Sequence, residues 1–167
     1  MNTWLIADTH FGHEREIEFG RPVGFEDQIL KNLIEILKKG DLLLHLGDFC
    51  IGSDTFWHHK FMQAVVCKKI LVAGNHDKKS NNWYLEHGWD FVCRHFADRY
   101  FGKSVLFSHE PYPYDVAWYD LNIHGHLHDN RHRGTTEDFI FNGRVYKLVS
   151  MEFLNYKPVS LESLLKK

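Results

Sequence analysis

The chain is short of several things, and each shortage narrows what it can be. No apolar run approaches the ~20 residues needed to span a bilayer. The opening run Trp4-Leu5-Ile6-Ala7 follows no basic region and precedes no cleavage site, so no secretory leader is expected. There are only three cysteines, Cys50, Cys67 and Cys93, forming neither a CxxC pair nor an even framework. Reduced thiols in a cytoplasmic protein are the natural reading. Net charge is also nearly missing: at −2 it gives no bulk field to draw the chain to nucleic acid or an anionic membrane. Linkers, internal repeats and low-complexity tracts are absent too. The 167 residues, 44 % of them hydrophobic, read as one domain, 1–167, with a core large enough to need no staples.

What the chain has in excess is histidine, thirteen of them with no poly-His tract. Histidine is the commonest metal ligand near neutral pH, so imidazole chemistry is the compositional lead. The local pattern shows where it sits. Trp4–Ala7 is a short buried strand that stops at Asp8-Thr9-His10-Phe11-Gly12-His13. Phe25–Leu37 carries Ile29, Leu30, Leu33, Ile34 and Leu37 at helical spacing against a charged face, with Gly40 as its expected C-cap. Leu42–Leu46 is a strand ending at Gly47-Asp48, Phe56–Val66 a second helix, and Ile70–Ala73 a strand ending at Gly74-Asn75-His76-Asp77. Alternating strands and helices predict a parallel sheet with helical cover.

The second half is expected to be β-rich with antiparallel pairing. Phe91–Phe96, Arg99–Phe101 and Val105–Phe107 are short strands, Leu121–His124 ends at Gly125, and Asn142-Gly143 closes a hairpin between Phe139–Phe141 and Val145–Leu148. Two sheets packed together with helices outside is the resulting architecture.

Strand ends are where α/β proteins collect their ligand sites. Five of them here deliver metal-type side chains: Asp8 and His10; Asp48; Asn75 and His76; His109; and His126 with His128. Mixed carboxylate, imidazole and amide donors suit divalent Mn, Fe, Ni or Zn better than an all-oxygen Ca²⁺ or Mg²⁺ cage. Their number exceeds one tetrahedral site and fits two ions sharing a carboxylate, roughly 3.5–4 Å apart.

Asp8-x-His10, Gly47-Asp48, Gly74-Asn75-His76-Asp77, His109 and Gly125-His126-Leu127-His128 resemble, in order, the motifs of the calcineurin-like metallophosphoesterase superfamily. The compact single-domain bacterial, archaeal and phage members are the nearest in kind. The resemblance implies a four-layer αββα sandwich, two mixed β-sheets flanked by helices. It implies that Asp8, His10 and His128 hold one metal, Asn75, His109 and His126 a second, and that Asp48 bridges them. The expected cofactor is a pair of divalent ions, Mn²⁺ first, with Fe, Ni or Zn as alternatives. His76 would serve at the mouth as general acid or as donor to developing charge, and Asp77 would orient it. The implied activity is hydrolysis of a phosphodiester or phosphomonoester, of a small or nucleotide-type substrate, by a metal-bridging hydroxide. A nuclease acting on polynucleotide and a non-catalytic metal-binding scaffold subunit are the alternatives. No membrane and no stable nucleic-acid partner are expected.

One departure matters. Protein Ser/Thr phosphatases of that superfamily follow Gly-Asp with an acidic residue and a phosphate-gripping Arg, whereas this chain has Gly47-Asp48-Phe49-Cys50-Ile51-Gly52. That favours a smaller substrate. His45 and His124, inside strand patterns, read as core or supporting histidines. His13 either reaches the mouth or is solvated. The aromatic run Glu110–Tyr119 either walls a cleft or forms a satellite core. Lys78, Lys79, Arg131 and Arg133 are open between contacting phosphate and plain solvated charge. No insertion is long enough for a separate cap.

Overall fold

The computed structural model describes residues 1–112, 118–128, 138–141 and 143–166. In order, the chain forms β1 (Thr3–Ile6), α1 (Arg15–Glu18), α2 (Phe25–Ile36), β2 (Leu42–His45), α3 (Asp54–Ala64), β3 (Lys68–Val72), α4 (Asn81–Glu86) and β4 (Phe91–Cys93). It continues through β5 (His95–Tyr100), β6 (Lys103–Ser108), β7 (Leu121–His124), β8 (Asp138–Phe141), β9 (Arg144–Leu148) and β10 (Val159–Ser160), and then α5 (Leu161–Leu165). One five-stranded sheet runs β10-β1-β2-β3-β4, parallel except for β10, and the other runs β5-β6-β7-β9-β8. These are the two mixed sheets flanked by helices that the motifs implied. Among the described residues no helix is long and apolar enough to cross a membrane.

The wholly apolar strand runs follow from burial on both faces. Alternate residues of a strand point to opposite sides. Leu5, Ala7, Leu44, Leu46 and Val72 turn toward the second sheet and meet Val105, Phe107, Leu121, Ile123 and Val149. Their neighbours Ile6, Leu43, Leu71 and Ala73 turn the other way, onto Phe25, Ile29 and Leu33 of α2 and Phe61 of α3. The helix α2 therefore forms where its apolar stripe finds a sheet to cover.

Four details depart from the sequence pattern. Helix α2 ends at Ile36, and its cap is Leu37 in extended conformation rather than Gly40. The turn is pinned instead by Asp41, whose carboxylate accepts from Lys38 N (3.1 Å), Asn2 N (2.9 Å) and Trp4 Nε1 (3.2 Å). The expected strand Phe91–Phe96 is two strands in different sheets: β4 pairs with β3, β5 pairs with β6, and Arg94 alone makes the crossing. The segment expected as a separate strand at Arg99–Phe101 is the end of β5, turning at Phe101-Gly102, both with positive φ. Finally, β7 lies parallel to both β6 and β9, so only the two outer pairs of that sheet are antiparallel. The hairpin of β8 and β9 is present, with Gly143 at φ 76°; Asn142 lies outside the described residues. All three cysteines are free thiols.

Phe61 is fully buried and stacks on Trp89 with centroids 5.6 Å apart, while meeting the edge of Phe49 at 4.9 Å. Phe61→Ala is expected to cost about 3–5 kcal/mol of stability in urea unfolding.

Candidate metal centre

The predicted residues arrive at one edge of the molecule because β1, β2 and β3 are parallel in one sheet and β6 and β7 are parallel in the other. The first sheet brings Asp8, His10, Asp48 and Asn75; the second brings His109, His126 and His128. Asp8, His10, Asp48, His126 and His128 all have φ between 47° and 71°, a region that non-glycine residues rarely adopt. Each costs of order 1–3 kcal/mol and persists only where surrounding structure enforces it. Here the enforcement is a ladder between loops: Asp8 N donates to Gly47 O (2.9 Å), His10 N to Asp48 O (3.1 Å) and Phe11 N to Phe49 O (3.0 Å). Glycine lets the strand ends close up. A Cβ on Gly47 would lie 2.6 Å from His109 Nδ1, one on Gly125 would lie 2.6 Å from the Ala7 Cβ, and one on Gly74 would overlap Asp48 Oδ1.

The side chains fall into two groups. In the first, His10 Nε2 is 3.1 Å from His128 Nε2, which is 3.7 Å from Asp8 Oδ1. In the second, Asn75 Oδ1 is 2.9 Å from His109 Nε2 and 3.0 Å from His126 Nδ1, and those two nitrogens are 3.2 Å apart. Asp48 Oδ2 faces both groups, 3.3 Å from His109 Nε2 and 3.7 Å from His10 Nε2. Asp8–His10–His128 and Asp48–His109–His126 are thus two clusters whose ligand atoms converge tightly enough to hold cations.

The donor chemistry fits cations. Leu46 O can only accept, so His109 Nδ1, 2.8 Å away, carries a hydrogen and turns Nε2 inward. His128 Nδ1 donates to Glu152 Oε1 at 3.2 Å and likewise turns Nε2 inward. Lone pairs facing one another at such distances repel unless positive charge stands between them. The charges tell the same story. Burial opposes it, but the hydrogen bond and charge of Asp48, with Asp8, lift His109 to about 9. Against burial in turn, His109 holds Asp48 below the usual carboxylate range. Burial, and then His128, push His10 well below an ordinary imidazole. A proton on His109 supplies positive charge that a divalent ion would otherwise supply, which is how metal affinity and protonation become linked.

Asp77 departs from its expected part. It is 4 % exposed, and its carboxylate accepts from the backbone N–H of Asp48 (2.8 Å), Phe49 (3.1 Å) and Gly74 (2.8 Å). Both oxygens are taken by the loops after β2 and β3, so Asp77 fastens those loops together instead of orienting His76. His76 stands half-exposed at the mouth, with Nε2 4.0 Å from Asp48 Oδ2 and its ring edge-on to His10 at 5.5 Å. Its backbone N donates to Asp48 Oδ1 at 2.8 Å.

Several supporting residues carry no sequence signal. Arg21, 3 % exposed, donates from NH1 to Thr9 O (2.9 Å) and from NH2 to Asp8 O (2.7 Å), and its Nε donates to Glu152 Oε1 (2.9 Å). Glu16 Oε2 is 3.3 Å from the same Nε, and the guanidinium lies over Phe25 at 5.0 Å. Ser150 donates to Asp8 Oδ2 at 2.9 Å. Isolated charges after unremarkable turns give no spacing to read, so only the fold assembles them. Glu152 is the most consequential, since carboxylates behind a ligating histidine fix its tautomer.

Of the other histidines, His45 is satisfied in the core: it donates to Thr9 Oγ1 (2.9 Å) and accepts from Gly47 N (3.2 Å), and burial lowers it to about 3. His124 donates to Gly125 O (2.9 Å), with burial lowering it to about 4. His13 takes the first of its two expected places, beside His10 with centroids 5.7 Å apart, and pairs with Glu16 at 2.9 Å. Lys79 is turned away to Asp54 at 3.2 Å. Arg131, Arg133 and 113–117 of the aromatic run lie outside the described residues.

Two outcomes follow. Asp77→Asn keeps the shape but places an NH₂ against backbone donors, and should cost about 2–3 kcal/mol in urea unfolding. Glu152 gives a pH signature. Against the upward push of burial, the hydrogen bond from His128 and the charge of Arg21 hold its carboxyl down to about 2, from an ordinary 4.5. A depressed carboxyl contributes stability above its unfolded value and loses it as pH falls from 4.5 toward 2. Glu152→Gln should therefore be about 3 kcal/mol less stable at pH 7, with the gap to wild type closing below pH 4.5.

Comparisons with known proteins give the family and the fold. An uncharacterised protein of Methanocaldococcus jannaschii is 28 % identical over 172 residues, covering 98 % of this chain and 89 % of that one. A crystal structure of a protein of unknown function from Aquifex aeolicus matches with a TM-score of 0.79 at 30 % identity, over 99 % of this chain and 98 % of that one. The structure of an archaeal phosphodiesterase shares the fold, with a TM-score of 0.55 at 16 % identity over 89 % and 82 % of the two chains. A model of the calcineurin-like phosphoesterases matches residues 1–161, and the chain belongs to that family.

Proposed function

We propose that this protein is a phosphodiesterase or phosphatase that uses two divalent ions to hydrolyse a small or nucleotide-type phosphate ester. The observation that carries the reading is Asp48, whose Oδ2 faces two separate sets of inward-turned donors. Asp8, His10 and His128 would hold one ion, Asn75, His109 and His126 the other, with Asp48 shared; the mixed donor set favours Mn²⁺, with Fe, Ni or Zn as alternatives. Ions so placed lower the pKa of a bound water and offset the charge of a phosphate.

The protein's own groups do the rest. Asp48 Oδ1 is occupied by His76 N, which fixes the carboxylate's rotation and leaves Oδ2 for the centre. The same bond sets His76 over the mouth, where its half-exposed ring can give a proton to the leaving oxygen or donate to charge gathering on phosphorus. Glu152 and Arg21 hold His128 and the Asp8–Thr9 backbone in place from behind. Phe49, where an acidic residue follows Gly-Asp in the protein phosphatases, is fully buried in the core. A phosphate grip from that loop is replaced by packing, which supports a smaller substrate.

Asp48→Ala and His76→Ala separate holding metal from chemistry. With a chromogenic phosphodiester and added Mn²⁺, Asp48→Ala should lose both bound metal and turnover. His76→Ala should keep its metal by elemental analysis while kcat drops about 10²–10⁴-fold. Undiminished turnover in Asp48→Ala would sink the proposal.

A further inference from the structure

A cavity of about 350 Å³ opens beside the second donor group, lined among others by Gly74, Asn75, Arg94, His109, Glu110 and Tyr112. That volume lies at the small end of the ~300–1,000 Å³ typical of ligand pockets. Two of its lining residues, Asn75 and His109, are candidate metal ligands, so it is continuous with the place where a phosphate would react. Its remaining walls play no part in holding metal.

Those walls have a definite chemistry. Arg94 is the residue at which the chain steps from β4 to β5, and its guanidinium donates to Gly74 O at 3.4 Å, next to Asn75. A guanidinium is a planar fork suited to phosphoryl oxygens. His95, also lining the cavity, meets Tyr112 edge to face with centroids 4.9 Å apart. Glu110 adds an exposed carboxylate, an acceptor for hydroxyl or amino hydrogens. The wall is held in place from beneath. Fully buried Asn122 accepts from Tyr112 N (2.9 Å) and donates to Ser108 Oγ (2.9 Å), and Ser108 Oγ donates to Glu110 O (2.6 Å). A buried amide spent on fixing a surface loop is what a preorganised binding wall requires.

We propose that this cavity is the subsite for the nucleoside arm of the substrate, with Arg94 on the phosphoryl oxygens, Glu110 on sugar or base hydrogens and Tyr112 with His95 against the base. It rests on the phosphoesterase reading above and narrows it to nucleoside phosphate esters. An alkyl phosphate would leave the aromatic pair and Glu110 without a partner. A second phosphate would meet Glu110, whose charge repels it.

Direct binding tests this without turnover, so it can fail or succeed independently of the catalytic reading. Titration calorimetry on the Mn²⁺-loaded protein would compare adenosine 5′-monophosphate with inorganic phosphate. The nucleotide should bind at least tenfold more tightly, in line with the worth of one base–aromatic contact. Tyr112→Ala and the solvent-facing His95→Ala should each erode that ratio while leaving inorganic phosphate affinity unchanged. Arg94→Gln should weaken both ligands about equally and preserve the ratio. Equal binding of the two ligands by the wild type would overturn the proposal, as would a ratio that survives both aromatic substitutions. A protein that binds the nucleotide in this pattern yet hydrolyses no ester would refute the catalytic reading and leave the subsite standing.

Discussion

The carboxylate of Asp77 is the contact on which the site depends. It draws three backbone N–H groups from two loops onto one buried carboxylate, and every donor of the three is main chain. That arrangement sets the loop after β2 against the loop after β3, which places His76 N within reach of Asp48 and Asn75 beside His109. A sequence motif that reads as catalytic histidine plus orienting acid is thus, in the folded chain, a half-exposed histidine at the mouth plus a structural clasp. The two functions share adjacent positions because one tight turn must both aim a side chain outward and anchor itself inward.

Strain and charge are concentrated in the same place. Five candidate ligands sit in left-handed backbone, and imidazole nitrogens and carboxylates crowd within about 3–4 Å of one another. Neither condition favours folding by itself. Both are tolerated because the strand ends are held by a deep apolar core on two faces, and because Arg21, Glu152 and Ser150 hydrogen-bond the candidate ligands or their backbone from behind. The left-handed turns are what let a residue directly after a buried strand swing its side chain across the strand end.

Much of this was legible in the chain itself. The apolar runs marked the strands that are buried on both faces, and the motif residues after them marked the donors, since strand ends converge once the sheets are parallel. The α2 stripe was readable for the same reason, a period that fits a helix lying on a sheet. What was hidden depends on tertiary partners. The crossing at Arg94 looked like continuous strand because both flanking triplets are strand-like, and nothing local says that they pair with different sheets. Gly40 has the look of a cap, but the turn is held by the Asp41 carboxylate, which accepts from three donors. Arg21 and Glu152 are separated by most of the chain, and their pairing exists only in space. Asp77 stands out in the motif, but its partners do not, because a carboxylate next to a histidine in sequence need not face it.

The division of donors between the two sheets carries a consequence for the molecule as a whole. Each candidate cluster draws its oxygen donors from one sheet and at least one imidazole from the other, so an ion bound there would tie the two sheets together. Occupancy then stabilises the fold as well as equipping the site, by about 4 kcal/mol when free ion exceeds its dissociation constant a thousandfold. The supply of metal would govern how long each copy lasts against proteolysis as well as how fast it works.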